Sequence, residues 1–75
     1  MKDLVEVLAK ALVDHPEMVT VDMMEKEKSF IIELRVAPDD MGKVIGKQGR
    51  IARAIRTVVK AAATKERKRV TVEII

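Results

Sequence analysis

The alternation of apolar and polar positions changes period along the chain and predicts two kinds of element. Over residues 2–13, apolar residues recur at three- and four-residue spacing, which predicts an amphipathic helix that ends before Pro16. Its predicted buried face consists of Leu4, Val5, Leu8, Ala11 and Leu12. Further along, the period changes to two. Residues 19–24 and 29–36 therefore predict two strands, and the charged stretch 25–28 between them predicts a hairpin.

The second half of the chain returns to helical spacing before one last alternating segment. Pro38 ends the second strand, and Asp39 is expected to cap a short helix that runs to Ile45. A longer helix is predicted over 50–63 and a closing strand over 70–74. The predicted order is α-β-β-α-α-β, and a crossover through two helices favours a right-handed, parallel return of the last strand.

This order predicts an α+β fold in which three helices back a three-stranded mixed sheet. At 75 residues, we expect one domain spanning residues 1–75, close to the lower size limit for a chain that folds unaided. Nearly half of the residues are apolar, which provides the material for a compact core.

The glycines of the chain are concentrated in one stretch, residues 42–49. Glycine costs conformational entropy and is favourable where the backbone adopts unusual angles or another molecule approaches closely. The spacing predicts that Gly46 ends the short helix and Gly49 opens the long one, with Lys47 and Gln48 at the tip of the turn. Such a turn presents backbone N–H groups, a cation and the positive end of a helix, which together favour phosphate binding.

Charge is distributed unevenly along the chain and supports the same interpretation. Residues 1–37 carry five Lys or Arg against eight Asp or Glu, whereas residues 38–75 carry ten against four. Arg50, Arg53, Arg56 and Lys60 form a basic stripe on the long helix, which begins directly after the glycine turn. A basic half beside an acidic half is typical of a protein with a polyanion-binding face.

Other functional classes lack the residues that they require. The sequence has no cysteine, and its one histidine, His15, stands apart from any candidate nucleophile or base. We therefore expect no catalytic residue, no metal site and no cofactor. No apolar run approaches the ~20 residues needed to span a bilayer, and the charged, amphipathic start is unlike a signal peptide. These features favour a cytoplasmic protein that does not bind a membrane.

A resemblance to the KH domain lies in residues 44–51, which read VIGKQGRI. In that domain a Gly-x-x-Gly loop clamps a short single strand of RNA. The element order resembles the type II KH fold over the whole chain, and a lone domain of this length is most similar to the KhpA (YlqC-like) family of small bacterial KH proteins. That resemblance implies a cytoplasmic RNA chaperone or post-transcriptional regulator. It also implies a KhpB partner of the Jag or EloR type and a role in cell elongation and peptidoglycan synthesis.

The resemblance also implies roles for individual residues. Gly46 and Gly49 would let the RNA backbone approach, while Ile45 and Ile51 would be core residues that bracket the loop, with Ile45 also at the floor of the base groove. The 29–36 strand and its preceding loop would form the other wall of that groove. The implied RNA-binding residues are Ile45, Gly46, Lys47, Gln48, Gly49, Arg50 and Arg53.

The sequence also predicts a weak binding site. Phe30 is the only aromatic residue, and its position in the strand pattern points it into the core. Base stacking on aromatic side chains, worth about 1–3 kcal/mol per base, is therefore largely missing. Affinity is expected to rest on phosphate contacts and a small apolar groove over ~4 nucleotides, unless two domains act together.

Two alternatives stay open at this point. The chain could bind single-stranded DNA, because no residue is identifiable as a reader of the RNA 2′-OH, or it could be a protein-interaction module with vestigial nucleic-acid binding. Self-association, or pairing with another KH domain, is expected through the 50–63 helix. Its apolar residues extend beyond the stripe needed to cover a sheet, which is predicted to consist of Ile51, Ile55, Val58 and Ala62. The candidate dimer interface consists of Ala52, Ile55, Val59 and Ala63.

Overall fold

A computed structural model describes the backbone of residues 1–75 and every side chain except that of Lys47. A single 3-10 turn, Pro16–Met18, follows the first helix. The helices and strands, in chain order, are α1 (Lys2–Leu12), β1 (Thr20–Lys26), β2 (Ser29–Arg35), α2 (Pro38–Lys65) and β3 (Arg69–Ile74).

The long segment α2 is interrupted by two consecutive residues in the left-handed region. Gln48 has a φ of 63° and Gly49 a φ of 68°, values that a right-handed helix does not contain. We call residues 38–47 the first limb of α2 and residues 50–65 its second limb. With α1, the two limbs make three helices, so the predicted order α-β-β-α-α-β and the α+β class are confirmed.

The sheet has the order β1-β2-β3 and the predicted mixed pairing. β1 and β2 are antiparallel, whereas β3 returns parallel to β2. The hairpin connection is shorter than the charge pattern predicted, because Lys26 pairs with Ser29 and leaves a turn of two residues, Glu27 and Lys28. β3 is therefore an edge strand. It lies on the opposite side of β2 from β1 and contacts α2.

The core lies between the helices and one face of the sheet. It receives Val5 and Ala9 from α1, Val13 from the position directly after α1, and Ile32 and Leu34 from β2, all at most 9% exposed. The predicted face of α1 is partly wrong, since Ala11 and Leu12 are exposed. Burial of these aliphatic side chains supplies the main stabilising free energy, about 25 cal/mol for each Å² of apolar surface removed from water.

The four residues predicted to form a dimer interface lie in this core instead. They contribute the face of the second limb that is covered by the sheet and α1, where a second chain has no access to them. The face of the second limb that packs on the sheet is therefore rotated around the helix from the predicted stripe. Val58, which belonged to that stripe, is 40% exposed. The relative exposures of the four are 4% for Ala52, 1% for Ile55, 0% for Val59 and 1% for Ala63.

A buried carboxylate joins the start of α2 to the segment that follows α1. Asp40 is 1% exposed, and its two carboxylate oxygens accept hydrogen bonds from the backbone N–H groups of Asp14 at 3.1 Å and His15 at 3.0 Å. The prediction that Asp39 caps α2 is wrong. The N-cap residue is Ala37 and forms no side-chain cap, Pro38 follows it, and Asp39 is exposed.

Candidate nucleic-acid interface

The turn between the two limbs lies one residue later than the glycine spacing predicted, because Gly46 still belongs to the first limb and the break falls at Gln48 and Gly49. Gly49 adopts a left-handed φ that favours glycine, so its identity follows from the backbone alone. Gln48 is left-handed as well and its side chain is exposed. Two left-handed residues in succession end the first limb and start the second within one turn.

Gly42 and Gly46 have no such backbone requirement. A Cβ added at either position would meet no atom within 4 Å, so packing inside the protein does not exclude a side chain there. In a helix each glycine is less favourable than alanine by about 0.5–1 kcal/mol. The two residues are one helical turn apart on the same face of the first limb, which leaves a strip of bare backbone at the surface.

This strip forms part of a shallow cleft next to the turn. The cleft has a volume of about 270 Å³. Two cationic residues and the half-buried Ile51 complete it, so that bare backbone, positive charge and an apolar side chain meet in one place. The lining residues are Gly42, Lys43, Gly46, Arg50 and Ile51.

One of the two cations among the described lining residues is already paired within the protein. The Lys43 ammonium lies 2.9 Å from a carboxylate oxygen of Asp14. The hydrogen bond from Lys43, and then its charge, lower the pKa of the Asp14 carboxyl. Arg50 is exposed, and among the described side chains it has no acidic partner within 4 Å. Among the described residues that line this cleft, Arg50 is therefore the cation that is available to a ligand.

A second basic surface runs along the other flank of the second limb. Arg53, Arg56 and Lys60 are exposed at spacings of three and four residues, which places them on one side of the helix. Within the described part of the chain, none of the three forms an ion pair. Arg56 and Lys60 face β3 across a cleft of about 310 Å³, whose other lining residues are Val70, Thr71 and Val72.

This cleft corrects the predicted position of the groove wall. The 29–36 strand was expected to form it, but β2 is the central strand of the sheet. The strand beside the second limb is β3, which lies at the sheet edge. One row of its backbone N–H and C=O groups therefore faces away from β2 and is available to form hydrogen bonds.

The remaining predicted site residues divide between surface and core. Ile45, expected in the core, is 54% exposed, which leaves it free to contact a ligand. Phe30 is 2% exposed, as its strand position predicted, so it is not available for base stacking. The side chain of Lys47 lies outside the described residues. Gln48, Arg50 and Arg53 are exposed around the turn and the start of the second limb.

The sequence interpretation missed two contributors to these clefts. Gly42 belongs to the first cleft together with Gly46, and their spacing of four residues was a signal that one helix face is bare. β3 was recognised as a strand, but its edge position next to the second limb depends on the sheet order, which the alternation of apolar residues does not encode. Lys60 had been recognised only as part of the basic stripe.

Two kinds of feature are absent from the described residues. None of the helices there is long and apolar enough to cross a membrane. No group of three or more His, Asp or Glu side chains in the same part of the structure is placed to hold a metal ion.

Comparison with known proteins identifies the family. Residues 2–74 match the family model described as "KhpA/KhpB, KH domain". The proteins named "RNA-binding protein KhpA" from Clostridium perfringens and Caldanaerobacter subterraneus are 69% and 68% identical to this chain, in each case over 100% of both sequences. The protein of the same name from Aquifex aeolicus is 56% identical over 100% of this chain and 95% of its own. No solved structure matches. With a family model that covers almost the whole chain, and relatives this similar over their full length, the chain belongs to the KhpA/KhpB family of KH domains.

Proposed function

We propose that this chain binds single-stranded RNA through the Gly46–Gly49 turn and the adjoining second limb of α2. The observation that carries this proposal is the bare glycine strip beside an unpaired arginine. A Cβ at Gly42 or Gly46 would meet only open space, so packing inside the protein does not require glycine there. Close approach of a ligand to the bare backbone would require it. The relatives are named as RNA-binding proteins, which supports RNA as the ligand.

The bound strand would be held by its phosphates on one side and by its bases on the other. Gln48, Gly49 and Arg50 present N–H groups and positive charge to phosphate at the start of the second limb. The exposed Ile45 offers an apolar contact to a base. Arg53 extends the phosphate contacts along the helix. With no exposed aromatic ring among the described residues, the affinity of one domain should be modest.

The cellular role follows from the resemblance rather than from the geometry. We propose a cytoplasmic RNA chaperone or post-transcriptional regulator that acts with a KhpB-type partner and contributes to cell elongation and peptidoglycan homeostasis. A weak site on a small domain fits a protein that gains affinity by joining a second nucleic-acid-binding domain, since linked sites bind far more tightly than either alone.

The turn can be tested with a charge-reversing double variant. Lys47→Asp with Gln48→Asp should abolish binding of a fluorescein-labelled octanucleotide RNA, measured by fluorescence anisotropy, and leave the unfolding temperature unchanged. Aspartate tolerates the left-handed conformation found at position 48 better than most residues. The matched control is Lys2→Asp with Thr20→Asp, which changes the net charge equally at exposed positions on α1 and β1.

Equal binding by wild type and the loop variant would contradict the proposal. Substitution of Gly46 by alanine adds a second, uncharged test. It should preserve or raise stability, because the added methyl group meets open space in a helix, while it weakens RNA binding by obstructing backbone approach. An octanucleotide DNA of the same base sequence distinguishes RNA binding from general single-strand binding.

A further inference from the structure

The connection between α2 and β3 contains a strained residue that the proposed site does not yet use. Arg67 has a φ of 58°, in the left-handed region where glycine is the usual residue. The backbone N–H of Arg67 donates to the carbonyl of Thr64 at 2.9 Å, and that of Lys68 donates to Ala63 at 3.0 Å. These bonds form a helix-ending motif whose left-handed position is most often glycine. An arginine there lowers the stability of the fold.

The residues around Arg67 fix the connection in place. The Lys68 ammonium lies 2.5 Å from a carboxylate oxygen of Glu25 and 4.6 Å from the centre of the Phe30 ring. These two contacts tie the connection to β1 and β2 and occupy the charge of Lys68. Arg67 is exposed and forms no ion pair among the described side chains. The strained position therefore presents a free cation on an anchored support.

The connection also stands at the end of the cleft between α2 and β3. Beyond Arg56, this cleft continues into a second depression of about 440 Å³. The flank of the second limb and the start of β3 line this depression, and three of the six lining residues are cationic. They are Lys60, Thr64, Lys68, Arg69, Val70 and Thr71. Positive charge thus extends from the glycine turn to the far end of the second limb.

We propose that a bound RNA strand continues past the glycine turn along this cleft, and that Arg67 contacts one of its phosphates at the far end. The inference rests on the proposed function and extends its site. The second limb has sixteen residues and is about 24 Å long. A stacked strand rises about 3.4 Å per nucleotide, so the ~4 nucleotides held by a KH turn cover only about 14 Å. About seven nucleotides reach the connection.

The test measures binding of RNAs of two lengths to wild type and to one variant. The substitution is expected to raise stability and to weaken binding. Arg67→Gly relieves the backbone strain and removes the cation. It should raise the unfolding temperature, weaken binding of an octanucleotide RNA roughly three- to tenfold, and leave binding of a tetranucleotide within about twofold. The slope of log affinity against log salt for the octanucleotide should become shallower by about 0.7. Arg35→Gln, which removes an exposed arginine at the end of β2, is the control for net charge.

The outcomes separate this inference from the proposed function. If the octanucleotide binds no more tightly than the tetranucleotide, or if Arg67→Gly binds it as wild type does, the extended site is wrong while the glycine turn stands. If Arg67→Gly lowers stability and weakens both lengths equally, Arg67 is structural and the inference is wrong. If neither length responds to the Lys47→Asp, Gln48→Asp variant, the proposed function itself fails.

Discussion

Two adjacent aspartates at the start of α2 have unlike roles. The sequence indicated that carboxylates at a helix start satisfy backbone N–H groups, and one of the pair does so. The N–H groups belong, however, to Asp14 and His15, which follow α1. Which aspartate turns inward depends on how α1 packs against α2, a contact between residues about 25 positions apart that local pattern does not contain.

This difference makes a prediction for stability. Asp40→Ala leaves two part-buried N–H groups without their acceptor, and hydrogen bonds to charged groups are worth about 1.5–3 kcal/mol each. We expect the free energy of unfolding, measured in urea, to fall by at least about 2 kcal/mol. Asp39→Ala removes the neighbouring exposed carboxylate and should change stability by no more than about 0.5 kcal/mol. Similar values for the two variants would show that the Asp40 bonds contribute little.

At the scale of the element, the two limbs of α2 show how far periodicity alone can go. The glycine spacing located the break to within one residue, because the left-handed conformation of Gly49 is a local property of the chain, but Gly46 does not end the first limb as predicted. The buried face of the second limb was displaced, because alanine and valine surround the helix on several sides and the apolar pattern has no sharp boundary. Packing against the sheet selects Val59 for burial and leaves Val58 at the surface.

The displaced face redirects the prediction of self-association. Ala54, Val58 and Ala61 are the exposed apolar residues of the second limb, and they lie along one side of it at spacings of four and three. If this side mediates a dimer, Val58→Lys should convert a dimeric wild type to a folded monomer in sedimentation experiments at micromolar concentration. Val59→Lys buries an unpaired charge in the core and should unfold the chain instead. A monomeric wild type would contradict a homodimer, whereas a heterodimer with another KH domain would need a separate test.

At the scale of the whole molecule, the uneven charge of the sequence falls on different elements of the fold. The acidic N-terminal half supplies α1, β1 and β2, and the basic half supplies α2 and β3. Composition alone was sufficient for this division. It did not place the basic stripe opposite an edge strand, since that position follows from the parallel return of β3.

The concentration of cations on one surface predicts how affinity depends on salt. Each phosphate contacted on a single strand contributes a slope of about −0.7 to log affinity against log salt, so two or three contacts at the turn and the start of the second limb give roughly −1.4 to −2.1. The measurement is a titration of a tetranucleotide RNA at several concentrations of potassium chloride. A slope near zero would mean that the basic stripe does not contact phosphate.

The central claim, that RNA binds at the glycine turn of α2, is tested most directly by an NMR titration. Octanucleotide RNA is added to the ¹⁵N-labelled protein and the shift of each backbone amide is followed. The largest changes are expected for the amides of residues 46–50, with smaller changes along 53–60 and little change in β1. Saturable shifts concentrated on β1 and the open face of the sheet, with the turn unaffected, would contradict the claim.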